Sequence, residues 1–508
     1  MKANKAIFLA IVIISAFLRV FMLSSIPNGF FSDEASSGYD AYSILLTGND
    51  RHWNFMPLLF RSFDDYVPPL FNYSLVPFIF LLGLSEISVR IAAAFFGVLT
   101  VIFTYLLTKR IFDERAALFA SLFLAISPWH IQFSRYGGPA ITLPLFFTAG
   151  LYFLYRGLSE KRYIPLGAVL FGLCLYTYAI AKLFVPLFLI GFFLIYRRKI
   201  LKKKKEFFIG LILLAVISAP IAYLSLFGEG QKRFNEISIF SEYEKSMNEP
   251  LTIKEAISYV KSFFNNYFKY FSVGYLFVEG DNEKRHSING VGQLYWFELP
   301  LLLVGLFLFL KKRISVHKLL LWWLLIYPLA ASLTTGGIHA IRSINALPLF
   351  QIISAYSISS LLDSLKLKKR PFIIIIFLIL ISLLAVYNVG SYVYGYFIEY
   401  PKYSAESFQY GKKDAISYIE SAKRGYNKLV VPEEDEIFVL FYTKFKPGEY
   451  QRNKLKNSQY SFCFIRECCM PGKNNLCLVK PDELNDFSLE TKKMIYYPDG
   501  KPAYKIVG

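Results

Sequence analysis

The sequence predicts an all-α polytopic membrane protein. Three observations carry that reading: long unbroken apolar runs, short basic clusters between them, and polar, chemistry-bearing residues gathered on one side of the resulting spans. The chain has 508 residues, 55% of them hydrophobic and 18% aromatic, with a mean hydropathy of +0.40. Soluble domains sit at about 45–50% apolar. Runs at 7–17, 92–107, 299–310 and 371–386 account for the excess. In hydrocarbon every backbone polar group needs an internal partner, which leaves helices or closed barrels. The runs are continuous and do not alternate, so helices are expected.

A net charge of +19 would suit a nucleic-acid partner if it were concentrated on one face. It is instead distributed as Lys2/Lys5, Lys109/Arg110, Lys161/Arg162 and the clusters at 197–205, 311–313 and 366–370. That is the positive-inside pattern, and it excludes nucleic acid. The first segment has no small-residue cleavage site before Pro27 and reads as a retained helix. Keeping every cluster cytoplasmic gives about 11 spans with the N-terminus inside. They lie at 6–24, 88–108, 115–131, 139–155, 163–179, 183–196, 206–226, 295–310, 319–334, 342–363 and 371–391. The apolar stretch 70–84 then lies along the interface, since a crossing there would turn each later cluster outward.

This topology puts loops 25–87 and 227–294 outside the cytoplasm, together with a small α/β domain at 396–508. In that domain 405–423 has helical periodicity and 428–432 reads as a strand. Segments 494–497 and 503–507 flank Pro498-Asp499-Gly500, a hairpin signal. Cys463, Cys468, Cys469 and Cys477 are expected in disulfides, with a structural zinc site as the minority reading.

The candidate chemistry begins at the outer end of the first span. Asp33 and Glu34 form an acidic pair that could serve as a general base on a hydroxyl. The alternative is an N-cap with an acid in the first helical turn. Asp64 and Asp65 precede the stiff Pro68-Pro69 pair, and here too a capped helix start is the alternative. Arg135, beside Gly137 and Gly138, could clamp a phosphate or snorkel to headgroups. Lys182 closes the outer 176–182 turn, and Arg285 with His286, and His339 with Arg342, bring further cations to the outer surface. No spacing makes a strong metal motif or a phosphate-cradling glycine loop, although Asp33/Glu34 with Asp64/Asp65 could in principle form an acidic metal cluster. Few charges fall mid-span, where a transporter would carry them. The set suits a reaction between a phosphate-bearing lipid and a hydroxyl.

These motifs resemble the GT-C membrane glycosyltransferases, specifically the family 39 group of protein O-mannosyltransferases and lipid A aminoarabinose transferases. The matching text is Phe31-Ser32-Asp33-Glu34-Ala35, Pro68-Pro69-Leu70, Val89-Arg90-Ile91-Ala92, Ser127-Pro128-Trp129-His130 through Arg135, and His339-Ala340-Ile341-Arg342-Ser343. The likeness covers 1–395, the expected transmembrane glycosyltransferase domain. It implies a polyprenyl-phosphate sugar donor and an acceptor hydroxyl on a protein, glycan or lipid, with inversion at the anomeric carbon and with neither a metal nor a cofactor. Asp33 would be the general base with Glu34 beside it. Arg135, Arg285 and Arg342 would neutralise the departing phosphate, and Asp64, Asp65, Lys182, His286 and His339 would complete substrate binding. Many relatives carry a Lys before the Pro-Pro pair, where this chain has Val67. Many also have an acid shortly after the Ser-Arg pair, where this chain reads Tyr136-Gly137-Gly138. A lipid-linked glycan transporter and a non-catalytic GT-C scaffold are the alternative readings.

Overall fold

A computed structural model describes residues 2–63, 65–228, 236–241, 252–366, 371–456, 458–463, 465–470, 472–483 and 489–508. Helix α1 (Lys2–Val20) is followed by α2 (Ser32–Thr47), a hairpin of β1 (Phe60–Ser62) and β2 (Asp65–Val67), and α3 (Leu70–Leu82). The bundle continues with α4 (Glu86–Ile111), α5 (Glu114–Ile126), α6 (Pro128–Arg135), α7 (Thr142–Gly157), α8 (Ile164–Cys174), α9 (Ala181–Ile200) and α10 (Lys204–Phe227). After the large loop come α11 (Ile253–Lys269), α12 (Glu298–Lys312), α13 (Ser315–Ile326), α14 (Leu349–Lys366) and α15 (Pro371–Tyr394).

Local chemistry sets several of these boundaries. Ser85 opens α4 by accepting from the Ser88 N–H at 3.3 Å, and Asp113 caps α5 through the Ala116 N–H at 2.9 Å. The break between α5 and α6 falls at Ser127-Pro128, because Pro128 has no N–H to continue the ladder. Gly48, at φ 74°, ends α2 in the left-handed region.

Five helical stretches among the described residues are long and apolar enough to cross a bilayer, at 3–20, 86–111, 181–227, 315–332 and 371–403. Two bent pairs, 114–126 with 128–135 at 55° and 340–346 with 349–365 at 45°, raise that to at most seven. The larger expected number also included shorter helices: the 11 residues of α8 rise only about 16 Å, roughly half the hydrocarbon thickness. Stretches 183–196 and 206–226 belong to one helical run, interrupted by a tight turn at Leu201–Lys203. There Lys203 Nζ donates to the Gly157 and Leu158 carbonyls at 2.8 and 2.6 Å. Along α15 only Ile381 and Tyr392 are buried, so hydrocarbon is the solvent that suits its remaining surface. With 13 residues, α3 is about 20 Å long and too short to cross alone. Its end exposes Phe80 at 71% and Leu81 at 75%.

The tail contains α16 (Lys412–Ala422), α17 (Glu436–Tyr442) and α18 (Pro447–Asn453), packed with β3 (Lys428–Val431), β4 (Tyr460–Phe462), β5 (Asn475–Val479), β6 (Thr491–Tyr496) and β7 (Pro502–Val507). The sheet order is β4-β3-β5-β7-β6. The β3 strand is parallel to both neighbours, and β7 is antiparallel to both of its own. Helix α16 starts later than the 405–423 periodicity suggested, because 404–411 folds as a chain of turns ending at Gly411, φ 94°. The β6–β7 hairpin closes at the Asp-Gly turn, where the Tyr497 N–H donates to the Lys501 carbonyl at 2.8 Å. The cysteines pair as Cys463–Cys468 and Cys469–Cys477.

The tail rests on α2. Tyr39 Oη donates to the Phe445 carbonyl at 3.0 Å, and Gln451 Nε2 donates to Ser43 Oγ, Thr47 Oγ1 and the Asp50 carbonyl at 2.9, 3.0 and 2.9 Å. At the centre of this contact, a Cβ on Gly38 would lie 2.8 Å from Phe441 and 2.8 Å from Val89. A Gly38→Val protein is therefore overpacked on two sides and should lose about 1–3 kcal/mol. Thermal unfolding in detergent checks it, and an unchanged midpoint refutes the tight contact.

Candidate functional site: an acidic helix start among outer-loop cations

Helix α2 is the element that positions the acidic pair. Neighbouring residues of a helix point about 100° apart, so Asp33 and Glu34 meet different surroundings. Glu34 is 0% exposed and its carboxylate is saturated. Arg90 at the start of α4 approaches side-on, Nε to Oε1 at 3.0 Å and Nη2 to Oε2 at 3.1 Å. The Gly137 N–H donates to Oε1 at 2.9 Å and the Phe31 N–H to Oε2 at 3.1 Å. Arg90 also donates Nη1 to the Pro27 carbonyl and Nη2 to the Gly29 carbonyl, at 2.9 and 2.5 Å. Glu34 thus ties the first loop to two parts of the bundle.

Asp33 is half-buried and belongs to a second cluster. Its charge and that of Arg285 act on one another, and with burial it pushes the Tyr136 phenol well up. The Arg285 guanidinium lies 3.7 Å from the centroid of the Phe31 ring, two residues before Asp33. Burial opposes the Arg285 charge, yet Glu283, Tyr136 and Asp33 together raise its pKa. Arg285 Nε donates to Glu283 Oε1 at 3.1 Å. The segment is stitched down through Gln132 Nε2 to the Arg285 carbonyl at 2.6 Å and Tyr400 Oη to the Lys284 carbonyl at 2.7 Å.

The other sequence candidates separate into three groups. His286 and His339 come together around Asp281. Asp281 Oδ2 faces His286 Nδ1 at 2.7 Å and His339 Nδ1 at 3.9 Å, and accepts the Ala340 N–H at 2.7 Å. Burial works against the charged Asp281, but His286 and the Glu283 and Ala340 N–H groups hold its pKa down. Burial and Arg342 lower that of His339, which favours its neutral ring. The three side chains offer ligand atoms within 4.8 Å of one another and could hold a metal ion. Arg342 adjoins this group and donates Nη1 to Thr334 Oγ1 and the Thr335 carbonyl at 2.8 and 2.7 Å.

Lys182, at the start of α9, interacts electrostatically with Asp65 of β2. The same turn is fixed to α3, since the Leu70 N–H donates to the Tyr176 carbonyl at 3.1 Å. Asp64 lies outside the described residues. Arg135 stands apart from all of these. It is 0% exposed, donates Nη1 to the Leu18 carbonyl and Nη2 to the Ile26 carbonyl, both at 2.9 Å, and is flanked by the Tyr396 and Phe397 rings. Its guanidinium is committed to the scaffold and not to open space.

Four participants were not among the sequence candidates: Arg90, Asp281, Tyr136 and Phe31. Arg90 and Phe31 stood within quoted motifs, and a buried-charge argument would have required a cation for Glu34. Tyr136 entered only where the chain departs from the family pattern, and nothing local marked Asp281.

The family model described as dolichyl-phosphate-mannose-protein mannosyltransferase matches residues 66–223. A dolichyl-phosphooligosaccharide-protein glycotransferase 2 of Pyrococcus horikoshii is 38% identical over 79 residues, 16% of this chain and 10% of that protein. An uncharacterized protein of Aquifex aeolicus is 28% identical over 139 residues, 27% of this chain and 28% of that one. The chain thus aligns with only a tenth and about a quarter of these relatives' lengths. Among solved structures, ArnT from Cupriavidus metallidurans bound to undecaprenyl phosphate is 14% identical with a TM-score of 0.59, covering 99% of this chain and 97% of that one. The archaeal oligosaccharyltransferase AglB from Archaeoglobus fulgidus, in complex with an inhibitory peptide and a dolichol-phosphate, is 15% identical with a TM-score of 0.54, covering 86% and 63%. At these identities the structural likeness is one of fold.

Breaking the Glu34–Arg90 pair leaves one charge buried and alone, so Arg90→Met should cost about 3–5 kcal/mol. Thermal unfolding and expression level measure this; wild-type stability in Arg90→Met contradicts the pinning role.

Proposed function

We propose that this chain, a GT-C membrane glycosyltransferase resembling family 39, transfers a sugar from a polyprenyl-phosphate donor to an acceptor hydroxyl at the extracytoplasmic face. The observation that carries the reading is Asp33 in the first turn of a pinned helix, beside a stacked Arg285. A carboxylate near a fixed cation, in a half-buried outer loop, suits a reaction that removes a proton at one point and accumulates phosphate charge at another.

In this mechanism the acceptor oxygen attacks the anomeric carbon and its proton passes to Asp33. The bond from the anomeric carbon to the phosphate oxygen breaks, and that electron pair leaves with the polyprenyl phosphate. Inversion follows from the single displacement. Arg285 and Arg342 supply the countercharge, and Lys182, held near Asp65, takes the place of the lysine that Val67 does not provide. Glu34, held by Arg90, and Arg135, whose two Nη groups bond backbone carbonyls, position the site and do not react. The acceptor is a protein, glycan or lipid hydroxyl. Transfer uses no metal, and Asp281 with His286 and His339 organises the loop that carries Arg285.

Transfer of radiolabelled sugar from polyprenyl-phosphate donors in membranes tests the reading. Asp33→Asn should lower the rate by about 10²–10⁴-fold with donor binding kept, whereas Lys182→Ala and Arg285→Ala should raise the donor KM. Full activity in Asp33→Asn ends the assignment. Chelator-washed membranes should retain transfer; a zinc requirement would make His286 and His339 ligands instead. For sidedness, a cysteine at Asp499 should label in intact cells and one at Lys203 only after permeabilisation. Labelling of 203 from outside overturns the topology.

A further inference from the structure

We infer that Gln409, from the tail, is a positioning residue for the proposed reaction: it caps the helix that carries Asp33 from across the molecule. The inference rests on the transferase reading only for its kinetic arm. Helix α2 begins after Phe31, whose side chain cannot cap. A helix leaves its first N–H groups without intrahelical acceptors, and natural caps are Ser, Thr, Asp or Asn. Here the Ser32 N–H donates to Gln409 Oε1 at 2.7 Å, an acceptor supplied from 377 positions along the chain. Asp33 is the next residue.

The surrounding backbone holds Gln409 in place. Gln409 has φ 52°, a left-handed conformation that costs a residue with a Cβ. It sits in the turn 404–411, locked by the Phe408 N–H to the Ser404 carbonyl at 3.2 Å and the Tyr410 N–H to the Ala405 carbonyl at 2.9 Å. That turn presses directly on the first loop. A Cβ on Gly29 would fall 2.5 Å from the Phe408 carbonyl oxygen and 2.8 Å from the Tyr410 nitrogen. Asn28 Nδ2 donates to the Pro401 carbonyl at 3.2 Å, and Phe408 packs edge-on to Tyr136, centroids 6.1 Å apart. A glutamine in a backbone conformation that favours glycine, with its oxygen on the first free N–H of the acidic helix, has a role in holding that helix.

Two variants separate positioning from stability. Gln409→Gly removes the acceptor while relieving the left-handed strain, so the protein should unfold at the wild-type temperature or above. Gln409→Glu keeps an oxygen at the same reach. In Gln409→Gly, hydrogen exchange of the peptide containing Ser32 and Asp33 should accelerate about five- to tenfold, the usual worth of a cap. kcat should fall by a similar factor with little change in donor KM. Gln409→Glu should keep wild-type protection. Unchanged exchange in Gln409→Gly, or loss of protection in both variants alike, overturns the inference. Exchange is read without turnover, so an inactive wild-type protein would sink the transferase reading and still decide the cap.

Discussion

The architecture around α2 depends on one buried ion pair. Glu34 and Arg90 are both removed from solvent, and such a pair offsets its desolvation only when every remaining donor and acceptor is matched. Here the match is close: two amide N–H groups complete the carboxylate, and two carbonyls from 27–29 accept further donors of the guanidinium. The first loop consequently has a single geometry relative to α4 and to the turn after α6. Without it, α2 would lose its direct tie to α4 and to the turn after α6. With it, α2 is a fixed shelf on which the tail can rest.

Fixing the shelf divides labour between adjacent acids. One carboxylate is consumed in construction and its neighbour is left in the half-buried cluster with Arg285 and Tyr136. The cations divide similarly. Arg135 and Arg90 are spent on backbone carbonyls and ion pairing, whereas Arg285, Arg342 and Lys182 border the loops. An arginine buried against backbone carbonyls is not in position to meet a ligand, so burial sorts structural from functional cations better than location in the sequence.

Much of the fold was legible in the sequence because it follows from local chemistry. Apolar runs, basic punctuation, the short α3 after Pro68-Pro69, the Asp499-Gly500 hairpin and disulfides in the tail all report on neighbours close in the chain. The acidic pair was legible as a site but not as two roles, since helical phase matters only once Arg90 and Arg285 stand on different sides of α2. The partners that decide those roles lie far away: Arg90 is 56 positions from Glu34 and the tail contacts lie several hundred positions from α2. Periodicity and turn signals carry no information at that range. The boundary of α16 was misplaced for a related reason, since 404–411 is shaped by its contact with Gly29.

Arg19 bears on how the protein is made. Its guanidinium, at the outer end of α1, donates to the Ala125 and Leu124 carbonyls at 3.0 and 3.3 Å, which belong to a segment synthesised about a hundred residues later. When α1 first enters the bilayer those acceptors do not exist, and the charge has to stay at the lipid headgroups or in the insertion machinery. Until α5 is present, the Ser15 carbonyl of its own helix, at 3.0 Å, is the acceptor within reach, so the contacts that seal Arg19 into the bundle belong to helix assembly and not to the first helix alone.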